Sequence, residues 1–140
     1  MNKIIVDFEM NNVGHNGNRV DEIIQIGAVK CNEDYKEMGR FNSYVRSREP
    51  VKRYITKLTG IDNDTLCKAK YFSKVGNSFL DWVWSNEPDH EIEFIEWGTN
   101  DKKAFNQCCE YYKISSDKTK GIHWINIQPA VTKELTLLKK

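Results

Sequence analysis

The stretch Ile4-Ile5-Val6-Asp7-Phe8-Glu9 is an apolar, β-branched run that ends in two acids. On a strand, successive side chains alternate faces, so Ile4, Val6 and Phe8 point one way while Ile5, Asp7 and Glu9 point the other. The two carboxylates therefore stand side by side. Like charges that close raise one another's pKa unless a cation neutralises them, and hard oxygen donors are what Mg²⁺ and Mn²⁺ prefer. Half of a metal site is one reading; a strand running out into solvent with an acidic tip is the other. An apolar strand with acids at its carboxyl end suits an open α/β sheet, where sites lie at that edge.

Outward from this run the pattern is mixed. Met10 to Arg19 is polar, with Gly14, Gly17 and several asparagines, and reads as a surface loop beside the acids. Asp21 to Lys30 reads as a central strand, Asn32 to Glu37 as a hairpin connection and Gly39 to Arg46 as a third strand, which makes an antiparallel meander. From Pro50 the period changes: Tyr54, Ile55 and Leu58 suit a short helix stopped by Gly60, and Asp62 caps a second one. Phe72, Val75, Phe79, Trp82 and Val83 share one helical face. Ile92 to Trp97 is a further strand, interrupted by Glu91, Glu93 and Glu96; Gly98-Thr99-Asn100 then turns the chain and caps a helix carrying Ala104, Phe105, Cys108, Cys109 and Tyr112. Ile122 to Ile127 is β-like, and Pro129 opens a last helix with Val131, Leu135 and Leu138 on one face. The order reads β-β-β-α-α-β-α-β-α, an α/β mixed sheet with helices on both faces.

Composition bounds the function loosely. At 140 residues the chain suits one domain with a core of its own. Its 21 basic and 20 acidic residues give a net charge of +1, so any contact with a polyanion must come from local patches such as Lys52, Arg53 and Lys57 or Lys102 and Lys103. Cys31, Cys67, Cys108 and Cys109 lack paired metal spacing, and no long apolar run is present, which reads as a cytoplasmic chain with free thiols and no membrane partner. Asp101 adds a third acid. Acids in a helix's first turn are common on dipole grounds alone. Together with Asp7 and Glu9, however, it would bring three acids from two strand ends to one edge, and cleavage of phosphodiesters by two metal ions needs several such carboxylates.

Four motifs in order carry a resemblance: Val-Asp-Phe-Glu at 6 to 9, Glu-Ile-Ile-Gln-Ile-Gly-Ala-Val at 22 to 29, Leu-Thr-Gly-Ile at 58 to 61 and Trp-Gly-Thr-Asn-Asp at 97 to 101. From Met1 to about Ile127 the chain resembles the DEDD exonuclease superfamily, of ribonuclease H-like fold and of the DEDDh type, and within it is most similar to the ERI-type 3′–5′ exoribonucleases. The resemblance implies a five-stranded mixed sheet whose first three strands are antiparallel. It implies hydrolysis at the 3′ end of RNA or single-stranded DNA with two Mg²⁺ or Mn²⁺ ions. Asp7, Glu9 and Asp101 match its metal ligands and catalytic acids, and Phe8, Met10, Leu58, Thr59, Trp97 and Lys102 its nucleic-acid contacts; Trp124 to Asn126 resembles the strand that follows. The family's third motif, a histidine base with a fourth carboxylate five positions on, has no match: the positions five after His15, His90 and His123 hold Val20, Ile95 and Gln128. The expectation is a single exonuclease-like domain over residues 1–140, either a fragment or a shortened relative, weakly active or inactive as it stands. The alternative is a domain that binds nucleic acid or a protein partner without cutting. Apolar residues near the C-terminus, if left uncovered, favour self-association.

Overall fold

A computed structural model describes residues 1–139. Five strands, β1 (Lys3–His15), β2 (Asn18–Cys31), β3 (Glu37–Tyr44), β4 (Ile92–Glu96) and β5 (Ile122–Asn126), form one sheet in the order β3-β2-β1-β4-β5. The first three strands are an antiparallel meander, and β4 and β5 run parallel to β1. Between β3 and β4 lie α1 (Arg53–Thr59), α2 (Asn63–Leu66) and α3 (Phe72–Trp84), the three helical stretches that the sequence pattern marks there, of which the order β-β-β-α-α-β-α-β-α counts only two. α4 (Asn100–Tyr111) joins β4 to β5 and α5 (Gln128–Leu138) follows β5.

β1 carries out the alternation of its residues: Ile4, Val6 and Phe8 are buried while Ile5 and Asp7 are exposed. The buried side meets α3 and α4 in an aromatic core. Phe105 of α4 lies at its centre, its ring 6.0 Å from Phe8, 6.1 Å from Phe72 and Phe79, 6.0 Å from Phe94 and 5.8 Å from Trp124. At the bulge between Glu9 and Met10, Gln25 pairs with Glu9 and Ile23 with Met10, leaving Ile24 as the extra residue. Two adjacent isoleucines can thereby both be buried, Ile23 in the main core and Ile24 in a second cluster with Val51, Ile61 and Leu66 under α1 and α2.

Met10 to Arg19 is not a loop. β1 and β2 continue through it to a turn at Asn16-Gly17, both with positive φ (50° and 79°), the backbone that an Asn-Gly pair supplies in a tight hairpin. Polar strands hold there because the segment after β3 is bonded to them. Fully buried Asn11 donates to Ser47 Oγ at 3.0 Å and accepts from Lys52 N–H at 3.1 Å, and Gly14 N–H donates to Glu49 Oε2 at 2.5 Å. Two buried ion pairs brace the ends of β2. Glu22 accepts from the Arg48 backbone and guanidinium, and that guanidinium lies 3.7 Å from the centre of the Tyr111 ring. Lys30 pairs with Glu87 at 2.8 Å and donates to Val83 O and Ser85 O at the C-terminal end of α3.

The last helix forms as its pattern demands, but its apolar face stays in water. Leu135 is 52% and Leu138 81% exposed, and only Val131 is partly covered. Among the described residues no helix is long and apolar enough to cross a membrane. All four cysteines are free thiols; burial pushes Cys108 and Cys109 up to about 12, so neither is a thiolate at neutral pH.

Since Phe105 joins the site-bearing helix to both central strands, Phe105→Ala should cost about 3–5 kcal/mol, the usual range for a fully buried phenylalanine. Urea unfolding followed by circular dichroism measures it. A loss below about 1 kcal/mol would show that this ring is not the keystone of the core.

A carboxylate edge built by two parallel strands

β1 and β4 pair in parallel, Lys3 with Glu93 and Ile5 with Ile95, so the carboxyl end of β4 comes level with the stretch of β1 just past Ile5. β1 brings Asp7 and Glu9 there. β4 ends at Glu96, and the chain turns through Trp97-Gly98-Thr99 into the first turn of α4, where Asp101 lies. Gly98, at φ 84°, makes that turn, and Asn126 at the end of β5 holds it by accepting from Gly98 N–H at 2.9 Å and from Gln128 N–H at 3.0 Å.

Thr99 stands at the N-cap without a side-chain cap bond, contrary to the cap expected of Gly98-Thr99-Asn100. Glu96 supplies that function from a distance, its carboxylate accepting from Lys102 N–H at 3.2 Å. Glu96 was read only as an interruption of an apolar strand. It is 2% exposed, and burial raises its pKa, with the Lys102 N–H pulling the other way.

The acids share one electrostatic field. Asp101 is 8% exposed, and its pKa is pushed up to about 6, first by burial, then by the charge of Asp7, with smaller contributions from Glu96 and Glu9. The backbone N–H of Phe8 faces the Asp101 carboxylate and opposes the rise. Glu9 is likewise raised, by burial and then by Asp7. Among the described residues no three His, Cys, Asp or Glu side chains converge into a ready-made metal cage. The donor set nevertheless fits a hard divalent ion. All its donors are carboxylates, and a cation among them would relieve the repulsion that adds to burial in raising the Asp101 pKa.

The expected nucleic-acid contacts divide. Leu58, on α1 beside β1, is 80% exposed, Trp97 is 53% exposed, and Lys102 reaches solvent on α4. Thr59 uses its hydroxyl to close the end of α1, donating to Ile55 O at 2.8 Å and accepting from Ile61 N–H at 3.1 Å. Met10 packs against the core. Phe8 is a correction: the same alternation that exposes Asp7 turns its ring into the core against Phe105, so only its backbone reaches the site.

The family model for exonucleases (RNase_T) matches residues 4–115. This chain belongs to the exonuclease (RNase_T) family. The exonuclease domain is 38% identical over 81 residues to a DNA polymerase III PolC-type of Caldanaerobacter subterraneus subsp. tengcongensis, a match covering 54% of this chain and 6% of that one. It is 28% identical over 116 residues to the 3′-5′ exonuclease DinG of Staphylococcus saprophyticus subsp. saprophyticus, covering 78% of this chain and 12% of the relative. Its fold is that of the nuclease domain of 3′hExo, a DEDDh family member solved bound to rAMP, at a TM-score of 0.68 and 24% identity over 81% of this chain and 60% of that one. The chain thus spans a small part of the length of these curated relatives.

A raised carboxyl pKa makes the folded state lose stability as pH climbs from the unfolded value, about 4, toward the folded value of about 6. In the absence of divalent ions, Asp101→Asn should therefore be more stable than the parent at pH 7, by about 1–3 kcal/mol. The difference should vanish below about pH 4. Thermal melts in a chelating buffer at both pH values give the answer, and a variant destabilised at pH 7 would place Asp101 outside the repulsive cluster.

Proposed function

We propose that this domain holds the 3′ end of RNA or single-stranded DNA at the edge formed by β1, β4 and α4, and that its acids serve phosphodiester hydrolysis there. The observation that carries this reading is the field shared by Asp7, Glu9 and Asp101, two acids of β1 and one from the helix that follows the parallel strand β4, in a chain of the exonuclease family. That the related 3′hExo domain was solved with rAMP supports a nucleotide at such an edge. Asp7, Glu9 and Asp101 would hold the Mg²⁺ or Mn²⁺ ions, which when bound supply hydroxide at neutral pH and neutralise the leaving oxygen.

The rest of the work falls to the chain. Phe8 N–H and the first turn of α4 orient Asp101, and Glu96 orients that turn. Exposed Leu58 and Trp97 offer apolar surface to a terminal nucleotide, and Lys102 a cation to its phosphate. A general base is a separate matter. His15 lies with its ring 5.7 Å from Tyr111, His123 stands 3.5 Å from Glu91, and His90 sits exposed in a loop at φ 54°. We infer that none of the three serves the site and that residues 1–140 alone turn over weakly, since a positioned base contributes about 10²–10⁴-fold. Binding without cutting is then what the isolated stretch does best. Leu135, Leu137 and Leu138, more than half in water, also favour self-association of the stretch.

Labelled single strands of RNA and DNA incubated with Mn²⁺ should shorten slowly from the 3′ end. Asp7→Asn should remove that trimming by more than about 100-fold, and Glu96→Gln should reduce it about tenfold, as supporting partners of metal ligands do. Calorimetric titration with Mn²⁺ should show heat for the parent and little for Asp7→Asn. Equal heats would mean that the site is not where the acids are; shortening from the 5′ end would reject the direction, and full activity of the short chain would return His123 to consideration as base.

A further inference from the structure

β3 is an edge strand, and the outer side of its backbone is largely without partners. Val45 N–H reaches inward to Ile24 O at 2.8 Å, and Arg46 N–H reaches outward to Lys70 O at 2.8 Å. Backbone groups of successive strand residues point to opposite sides, so Arg40, Asn42 and Tyr44 also present theirs outward. Of these, the carbonyl of Tyr44 accepts the Ser43 hydroxyl at 3.0 Å. Next to Arg46 the place of a sixth strand is taken for a single residue by Tyr71, in a parallel bridge. Alongside the rest of β3 that place is a groove of about 760 Å³, lined by Phe41, Ser43 and Tyr44 on one side and by Lys70, Lys74 and Val75 on the other.

An open row of this kind is a template for another strand. Charge narrows its identity. A strand laid along β3 alternates its side chains between two faces. One face meets Arg40 and Arg46 flanking Tyr44; the other meets Lys70 and Lys74 around Phe41 and Val75. Arg40 is paired with Glu37 and Arg46 lies over the Tyr71 ring, whereas Lys70 and Lys74 form no ion pair among the described residues. The groove's own acids, Asp62 and Asp64, belong to α2, and Asp62 is engaged as its cap and faces Lys68. A nucleic-acid strand would carry a negative charge at every step past those two acids, and its phosphates could accept from the amides but offer nothing to the carbonyls. A peptide can space its acids and use both.

We propose that β3 and its groove take up an extended acidic peptide of a partner protein as a sixth strand, with apolar residues against Phe41 and Val75 and carboxylates toward Lys70, Lys74, Arg40 and Arg46. This surface is separate from the carboxylate edge and does not depend on its activity.

The probe is a short synthetic peptide alternating valine and glutamate, with a valine–lysine peptide and a backbone N-methylated valine–glutamate peptide as controls. Binding of the first peptide should slow amide hydrogen exchange at Arg40, Asn42 and Tyr44 by about tenfold or more. The two control peptides should leave those amides unchanged. Lys70→Glu combined with Lys74→Glu, both exposed, should weaken binding by about tenfold while the circular dichroism of the fold is kept. No protection at about 1 mM peptide overturns the proposal. So does equal binding of the lysine peptide, which removes the charge argument, or of the methylated one, which removes the strand. Protection of the same amides by a single-stranded oligonucleotide would assign the groove to nucleic acid. Protection that grows with protein concentration alone would assign it to a second copy. The peptide controls decide the matter even if the double variant fails to fold.

Discussion

Parallel pairing of β1 and β4 is the constraint on which the site depends. Antiparallel neighbours bring opposite ends to one edge, and β2 accordingly contributes no acid beside Asp7 and Glu9. Only a strand running the same way, with its chain returning through α4, can set Asp101 against them. The crossover that parallel pairing requires also places α4 on the buried face of β1. Phe105 and Asp101, four residues apart on that helix, thus anchor the core and serve the edge at once.

The edge is electrostatically expensive, and the fold meets that cost locally. Burial and three neighbouring carboxylates act against the charged form of Asp101, and one backbone N–H from Phe8 is the opposing contact. The surrounding groups are rigid: Glu96 fixes the first turn of α4, Asn126 fixes the turn at Gly98, and Asn11 binds the segment leading into α1 to β1. Of these hydrogen bonds only that of Glu96 involves one of the repelling charges; those of Asn126 and Asn11 do not. This arrangement is what one expects where stability has been given up for function.

Much of this was legible in the chain itself. The alternation in Ile4 to Glu9 assigned faces correctly because strand geometry has a period of two, and no tertiary contact can change that. The helical stripe of Phe72, Val75, Phe79, Trp82 and Val83 became α3, since five large apolar side chains on one face leave few other folds for it. Where reading failed, polar residues were involved. Met10 to Arg19 looked like a loop for want of apolar side chains, although Asn16-Gly17 is a hairpin signal, and it is Glu49, Ser47 and Lys52 from another segment that satisfy its polar groups. Phe8 was counted among ligand contacts by virtue of its motif, against the alternation that sends it inward.

The sequence by itself determined where along the chain strand- and helix-forming stretches lie and which way the acids of β1 face, because these follow from side-chain periodicity and the chemistry of turns. Tertiary structure alone decided that Glu96 is buried and caps α4 across a turn, that Asp101 is raised by charges on a strand more than ninety positions away, and that the outer row of β3 lies open beside a groove. It also left the apolar face of α5 in water, although the periodicity of that helix is as regular as that of a buried one. Periodicity states which side of an element seeks cover, whereas burial, field strength and an unpaired edge depend on what the rest of the chain brings alongside.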